Sequence, residues 1–287
     1  MINITNSIEA QVVKRILGNK KTISKYLIRL NKNISIPEIA HLKKAKADYY
    51  YDLVSKYWDY EKAREIIREL FKSSDKYKKG KECINVVKVL KKEWKDLGLG
   101  DIEWPCSQGK FDELVQRINS LSDSGMIKDT RVKKAAVKYR RMKELNTIRN
   151  DYLETLIFEK NENIIPTLKH TGSVDFFVNG ISYDQKVAKS PTKEFIKHYG
   201  SGWKKVALES PDKVAIFLYT YQDEGRFGSD PRLLVVYLKD EVSEEEIQEA
   251  INRANLQEPF HISFDFNHKN IGKKRYETDC FVILLGN

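Results

Sequence analysis

Residues 174–186 read VDFFVNGISYDQK and hold two acids and a lysine, Asp175, Asp184 and Lys186, inside an otherwise β-forming run. Asn179-Gly180 at its centre is a strong hairpin signal, because a type I′ turn needs positive φ at both central residues. With those two as the turn, Val178 faces Ile181, Phe177 faces Ser182, Phe176 faces Tyr183 and Asp175 faces Asp184. Opposite residues on an antiparallel pair have Cβ atoms about 4.5–5.5 Å apart, where like charges repel. Alternation places Ser173, Asp175, Phe177, Ser182, Asp184 and Lys186 on one face and leaves Val174, Phe176, Val178, Ile181, Tyr183 and Val187 as a core face. Two carboxylates held in this way need a compensating cation. Mg²⁺ suits them, since it takes oxygen ligands and requires only one or two protein carboxylates. Lys186 beside it would orient a water or offset charge on an attacked phosphate. The alternative on geometry alone is an exposed charge ladder in which Lys186 bridges the two acids.

The elements that must position these residues are set by the rest of the chain. It has 287 residues, 41% hydrophobic and 32% charged, which suits a folded protein with a real core. No run of 18 apolar residues occurs, and MINITNSIEAQ lacks the apolar centre of a signal peptide, so no membrane association and a cytoplasmic location are expected. Cys83, Cys106 and Cys280 are far apart and form no CxxC pair, which argues against a thiolate zinc site. There is no GxxxxGK[ST], so no nucleotide cofactor is expected.

Charge is uneven along the chain. Residues 1–150 hold 34 Lys and Arg against 19 Asp and Glu, whereas residues 151–287 hold 17 against 22. A basic half suggests a polyanionic partner, although Lys-rich helix surfaces are also commonly just solvated.

Up to about residue 160 the apolar period is helical. Ser35-Ile36-Pro37-Glu38 reads as a capping box with proline in the first turn, opening a helix through PEIAHLKKAKADYYYDLVSKYW. Helical patterns follow at 60–73 and 81–97, then a glycine-rich break at 96–110, a short helix FDELVQRINSL, a second break SDSG at 122–125, and a long helix over 130–160. After residue 165 the period becomes two, with strands expected at 173–178, 181–188, 213–221, 232–238, 260–267 and 279–285. Ser190-Pro191 reads as a helix start, and Ser243-Glu244-Glu245-Glu246 as a capping box. In FHISFDFNHKN the aromatic and aliphatic residues read as core, and His261, Asp265 and His268 as surface. The sum is an α/β protein: a helical, basic region over 1–129, followed over 130–287 by a mixed sheet flanked by helices that begins with the long helix.

Asp175, an eight-residue gap and then Asp184-Gln185-Lys186 resembles the signature of the PD-(D/E)XK, or restriction-endonuclease-like, nuclease superfamily. The likeness covers about residues 145–285. It implies a restriction-endonuclease-like core, a mixed sheet with the motif on its second and third elements after an initial helix. It also implies that Asp175 and Asp184 hold Mg²⁺ (Mn²⁺ as a substitute), that the Gln185 main-chain carbonyl can join them, and that Lys186 assists phosphodiester hydrolysis. The initial helix of such proteins often adds a glutamate between apolar residues. Glu154 in Tyr152-Leu153-Glu154-Thr155-Leu156-Ile157 has that form, and Glu159 on the same run competes with it. Val174 departs from the signature, which often has proline there.

On this resemblance the chain is expected to be a Mg²⁺-dependent endonuclease, most like a type II restriction endonuclease that cuts double-stranded DNA as a homodimer. Residues 131–149 carry eight Lys and Arg and one acid, Glu144, a density suited to phosphate contact. Lys133, Lys134, Lys138, Arg140 and Arg141 there, with Lys189 and Lys193 after the motif, are the candidate DNA contacts. Two alternatives stand beside it: a DNA-binding or regulatory module without catalysis, and a nuclease of repair, junction resolution, transposition or RNA decay. Before the motif, His170 and Ser173 read better as polar loop residues than as phosphate contacts, and after it His198 and Lys197 read equally well as a solvated helix face or as a flank of the nucleic acid.

Overall fold

Asn179 and Gly180 adopt φ values of 50° and 81°, the left-handed pair that a type I′ turn demands, and close a hairpin between β2 (Phe176–Val178) and β3 (Ile181–Ala188). The register is the expected one: Phe176 pairs with Tyr183, Phe177 with Ser182 and Val178 with Ile181. Gly180 is also required by space, because a Cβ there would lie 2.4 Å from the Thr5 methyl carbon. The computed structural model of the chain describes residues 1–99, 108–169 and 174–286. His170 and Ser173, and most of the glycine-rich break at 96–110, lie outside these residues.

The architecture is α/β with a mixed, open six-stranded sheet among the described residues, in the order β1-β2-β3-β4-β6-β5. Its remaining strands are β1 (Ile164–Pro166), β4 (Arg232–Tyr237), β5 (Phe260–His268) and β6 (Gly272–Leu285). The pairs β1·β2, β2·β3 and β5·β6 are antiparallel, while β3·β4 and β4·β6 are parallel. The helices are α1 (Ala10–Leu17), α2 (Lys20–Leu30), α3 (Ala47–Lys56), α4 (Tyr60–Lys72), α5 (Asp75–Asp96), α6 (Gln108–Asn119), α7 (Gly125–Lys160), α8 (Lys193–Tyr199), α9 (Trp203–Glu209), α10 (Pro211–Thr220) and α11 (Glu244–Arg253). Among the described residues no helix is long and apolar enough to cross a membrane.

The chain divides into two compact units, and not at residue 129. One unit joins residues 1–74 to 156–287; the other is 75–155. The N-terminal segment belongs with the sheet for two reasons. Its first residues continue the β3 edge: Ser182 N–H donates to the Ile2 carbonyl at 2.9 Å and Ile4 N–H to the Gly180 carbonyl at 2.9 Å. Its helices then share one apolar cluster with the strands, in which Val13, Ile16, Leu27, Val54, Ile67 and Leu70 pack with Ile165 and Phe177. Arg68 of α4 adds a polar tie, donating to the carbonyls of Phe158, Asn161 and Ile164 where α7 ends and β1 begins. A guanidinium can satisfy several of the carbonyls that a helix end leaves open. In the 75–155 unit, Trp94 and Leu99 pack with Met142 of α7.

The hairpin is buried on both faces rather than one. Phe176, Phe177, Val178, Ser182 and Tyr183 are all inaccessible. The N-terminal helices, expected as a separate domain, instead cover the Phe177 face, so that face is core as well. Residues 213–220 of the strand expected over 213–221 lie in helix α10. Ser210-Pro211 starts it with proline in the first turn, and an apolar run this short has no period of its own to decide between the two states. The helix expected from Ser35 is two pieces, a 3-10 turn over Pro37–Lys44 and then α3. Its capping box does not form, because Glu38 is drawn to the Lys56 ammonium at 2.6 Å and the Tyr57 hydroxyl at 3.0 Å. Thr192, not Ser190, caps α8, its hydroxyl accepting from Phe195 N–H at 3.1 Å. The Ser243–Glu246 capping box is present as expected. His268 is not a surface residue: its ring bonds Glu224 at 3.1 Å and the Tyr276 hydroxyl at 2.6 Å, and packs against Phe227 and Phe266.

Replacing Gly180 by alanine is expected to cost roughly 1–2 kcal/mol from the left-handed backbone alone, with the Thr5 clash adding to it. Urea unfolding of Gly180→Ala against wild type measures this, and Gly272→Ala, where a Cβ meets nothing within 4 Å, isolates the backbone share.

Candidate active site at the end of the hairpin

β3 runs past the end of β2, and this mismatch makes the site. The β2 ladder stops at Phe176, and Asp175 lies in a bend just before it. The expected cross-strand pair between Asp175 and Asp184 is therefore not part of the register. Asp175 N–H instead donates to the Tyr183 carbonyl at 3.0 Å, and its carbonyl accepts from Thr167 N–H at 3.0 Å. Its carboxylate then turns to the strand that β2 no longer covers. Oδ2 accepts the Gln185 N–H at 2.8 Å. An amide left without a strand partner is paired by a charge-assisted bond.

On the other edge, Asp184 N–H donates to the Pro231 carbonyl at 3.1 Å, and Asp184 stands level with Arg232 of β4. The Asp184 carboxylate holds the Lys186 ammonium at 2.7 Å, with the lysine about half exposed and the aspartate mostly covered. Asp175, Asp184 and Lys186 are thus brought to one short stretch of β3. Strand alternation directs both the N–H and the carbonyl of Gln185 to the edge where Asp175 lies. The donors so gathered are two carboxylates and a main-chain carbonyl, all hard oxygens. That set fits Mg²⁺ or Mn²⁺ and does not fit a metal that prefers sulfur or imidazole. Among the described residues no group of three or more His, Cys, Asp or Glu side chains converges.

The face carrying Asp184 and Lys186 is covered by apolar packing on both flanks, and of the two residues Lys186 keeps the greater exposure. Beside β2 lie Phe177, Ile165 and the N-terminal helices. Beside β4 and β5, Leu234, Val236, Phe264 and Cys280 pack with Phe195 of α8 and Val214, Ala215 and Tyr219 of α10. Asp184 and Lys186 sit in the gap between two cores.

Glu154 is in the 75–155 unit, buried, with its carboxylate paired to Lys76 of α5. Glu159 is half-buried in the other unit. Of the candidate DNA contacts on α7, Lys133 and Lys134 are exposed, Lys138 approaches the Trp94 ring at 5.9 Å, Arg140 pairs with Glu144 at 2.8 Å and Arg141 pairs with Glu93. Lys189 lies 3.6 Å from Asp240, and Lys193 is exposed at the start of α8. His198 and Lys197 are exposed on the same helix, with His198 against the Tyr199 and Phe217 rings. The residue that sequence reasoning missed is Arg232. A basic residue opening a strand carries no signal of its own, and only the parallel pairing sets it beside Asp184.

Comparison with protein-family models, with curated proteins and with solved structures finds no match to this chain.

Cys280, level with Arg232 on β6, is fully buried, and burial pushes its thiol up to about 12, with Asp279 adding a smaller push. Since the thiolate is the reactive form, alkylation of native Cys280 by iodoacetamide at neutral pH is expected to be on the order of a thousandfold slower than that of a free thiol. Peptide mass spectrometry measures it, and unfolding in urea should abolish the protection.

Proposed function

We propose that this chain is a Mg²⁺-dependent endonuclease acting on double-stranded DNA, most like a type II restriction endonuclease that works as a homodimer. The observation that carries the reading is the convergence on β3: the Asp175 carboxylate on the Gln185 amide and the Lys186 ammonium on the Asp184 carboxylate. The element order lends support, since a helix precedes a three-strand meander, further helices follow, and the next strand is parallel to the third. That order agrees with the mixed, helix-flanked core that the PD-(D/E)XK resemblance implies, with Asp175 just before the second strand and Asp184 and Lys186 on the third.

Asp175, Asp184 and the Gln185 carbonyl would hold the ion, which when bound lowers the pKa of a water and neutralises charge on the scissile phosphate. The chain's own residues have separate tasks. The bond to Gln185 N–H fixes one Asp175 oxygen and so aims the other. Lys186 is half exposed on a flexible stem, so it can leave Asp184 for an incoming phosphate and offset its charge as the bond to the leaving oxygen breaks. Fixed positions matter here because the uncatalysed reaction is so slow that placement and charge must supply roughly 20 kcal/mol. The 75–155 unit supplies grip: it holds 19 Lys and Arg against 13 Asp and Glu, with Lys133 and Lys134 exposed on α7. Lys189 and Lys193 offer further cations beyond the end of β3.

Incubation of the purified protein with plasmid and phage DNA in Mg²⁺ should yield discrete fragments. Asp175→Asn, Asp184→Asn and Lys186→Ala should each lower cleavage by roughly three orders of magnitude, while duplex binding in Ca²⁺ largely survives. Glu154→Gln and Glu159→Gln in the same assay identify the helix carboxylate. Wild-type protein that binds duplex yet leaves every duplex, single-stranded and branched substrate intact with Mg²⁺ or Mn²⁺ would turn the reading to a binding module. A smear in place of fragments would turn it to a non-specific nuclease.

A further inference from the structure

Arg232 opens β4 directly opposite Asp184, and parallel partners project from the same face of a sheet. It is half-buried, and among the described residues no carboxylate lies within ion-pair distance of it. A partly desolvated arginine is normally matched by an anion or by several acceptors. Among the described residues this one has neither. Its guanidinium lies over the Tyr219 ring, 4.7 Å from the centroid. Tyr219 is itself fixed: the ring is buried against Phe264, and the hydroxyl donates to the Asp230 carbonyl at 2.9 Å. Gly228 leaves room for the guanidinium, since a Cβ there would come within 2.9 Å of the Arg232 Nη2. The residue immediately before Arg232, Pro231, accepts from Asp184 N–H through its carbonyl. One short segment therefore aligns Asp184 and seats the arginine.

Resting on the nuclease reading, we propose that Arg232 is a substrate-binding residue of the same site, its guanidinium taking a non-bridging oxygen of a DNA phosphate while Lys186 serves at the scissile group. The ring of Tyr219 supplies a cation–π seat that holds the planar head without neutralising it, so the positive charge stays available for an anion. Lys186 is a mobile point charge and Arg232 a seated fork. Two cations of different stiffness flanking one aspartate suit a ligand that carries a delocalised negative charge and must be held in one orientation.

Three variants test this, each checked first for wild-type thermal unfolding and circular dichroism. Arg232→Gln should lower single-turnover cleavage of a defined duplex in Mg²⁺ by roughly 100-fold. It should also flatten the plot of log affinity against log salt, measured in Ca²⁺ on the same duplex, by about 0.9, the loss of one phosphate contact. Arg232→Lys should restore the salt slope but only part of the rate, since the charge returns without the fork. Gly228→Ala keeps the charge and crowds its seat, so it should lose rate with the slope nearly kept. Wild-type cleavage with an Arg232→Gln variant that cuts and binds like wild type overturns the assignment and leaves the nuclease reading intact. Loss of rate in step with the unfolded fraction alone overturns it too. A wild type that cuts nothing overturns both.

Discussion

A single hydrogen bond, from Gln185 N–H to the Asp175 carboxylate, ties the proposed chemistry to the fold. β3 lies inside a sheet, so its amides must find partners, yet β2 ends at Phe176 before β3 has finished. A strand that overruns its neighbour leaves open groups that cost free energy unless they are met. Asp175 meets one of them with a charge. The same act brings a carboxylate to the residue next to Asp184. The meeting of the Asp175 carboxylate with β3 is thus a consequence of unequal strand lengths, with the type I′ turn at Asn179-Gly180 fixing where the inequality falls.

The covering of the sheet completes the arrangement. Two apolar clusters lie on the face shared by Phe177, Asp184 and Leu234, one built from the N-terminal helices and the other from α8 and α10. Each needs strand residues to pack on, and Asp184 and Lys186 give neither cluster an apolar surface. The cores therefore stop on either side of them. In such a gap Lys186 keeps access to solvent while Asp184 is mostly covered and the walls beside them are close-packed, a combination suited to precise placement.

Electrostatics are divided between the same positions. Lys186 is paired and movable, whereas Arg232 is stacked and unneutralised among the described residues. Basic charge also gathers in the 75–155 unit, where some cations are matched by acids, as Arg140 is by Glu144 and Arg141 by Glu93. Part of the excess that a composition count assigns to a polyanionic partner is thus spent on the helices' own surface, which makes exposed Lys133 and Lys134 better candidates for contact than their paired neighbours.

Local rules settled a good deal of this protein from its sequence. Asn-Gly determined the turn and its register, since few other conformations suit that dipeptide; Ser243 and Glu246 determined a helix start; the period-two residues Ile262, Phe264 and Phe266 determined a core strand, although Phe260, expected in the same core, is exposed at its start. Alternation from pairing alone put Asp184 and Lys186 on one face of β3, whereas Asp175, in a bend before β2, meets that strand through its bond to Gln185 N–H rather than as a cross-strand partner of Asp184. What the sequence left open depended on partners far along the chain. Residues 213–220 became helix where a strand was expected, Glu38 left its cap for Lys56, and His268 was drawn inward by Glu224 and Tyr276. The return of residues 1–74 to the sheet and the pairing of Arg232 with Asp184 are likewise contacts between distant segments. A turn or a cap is decided by energies within a few residues, whereas a face is covered, or a cation is seated, only once the whole chain has chosen what packs against what.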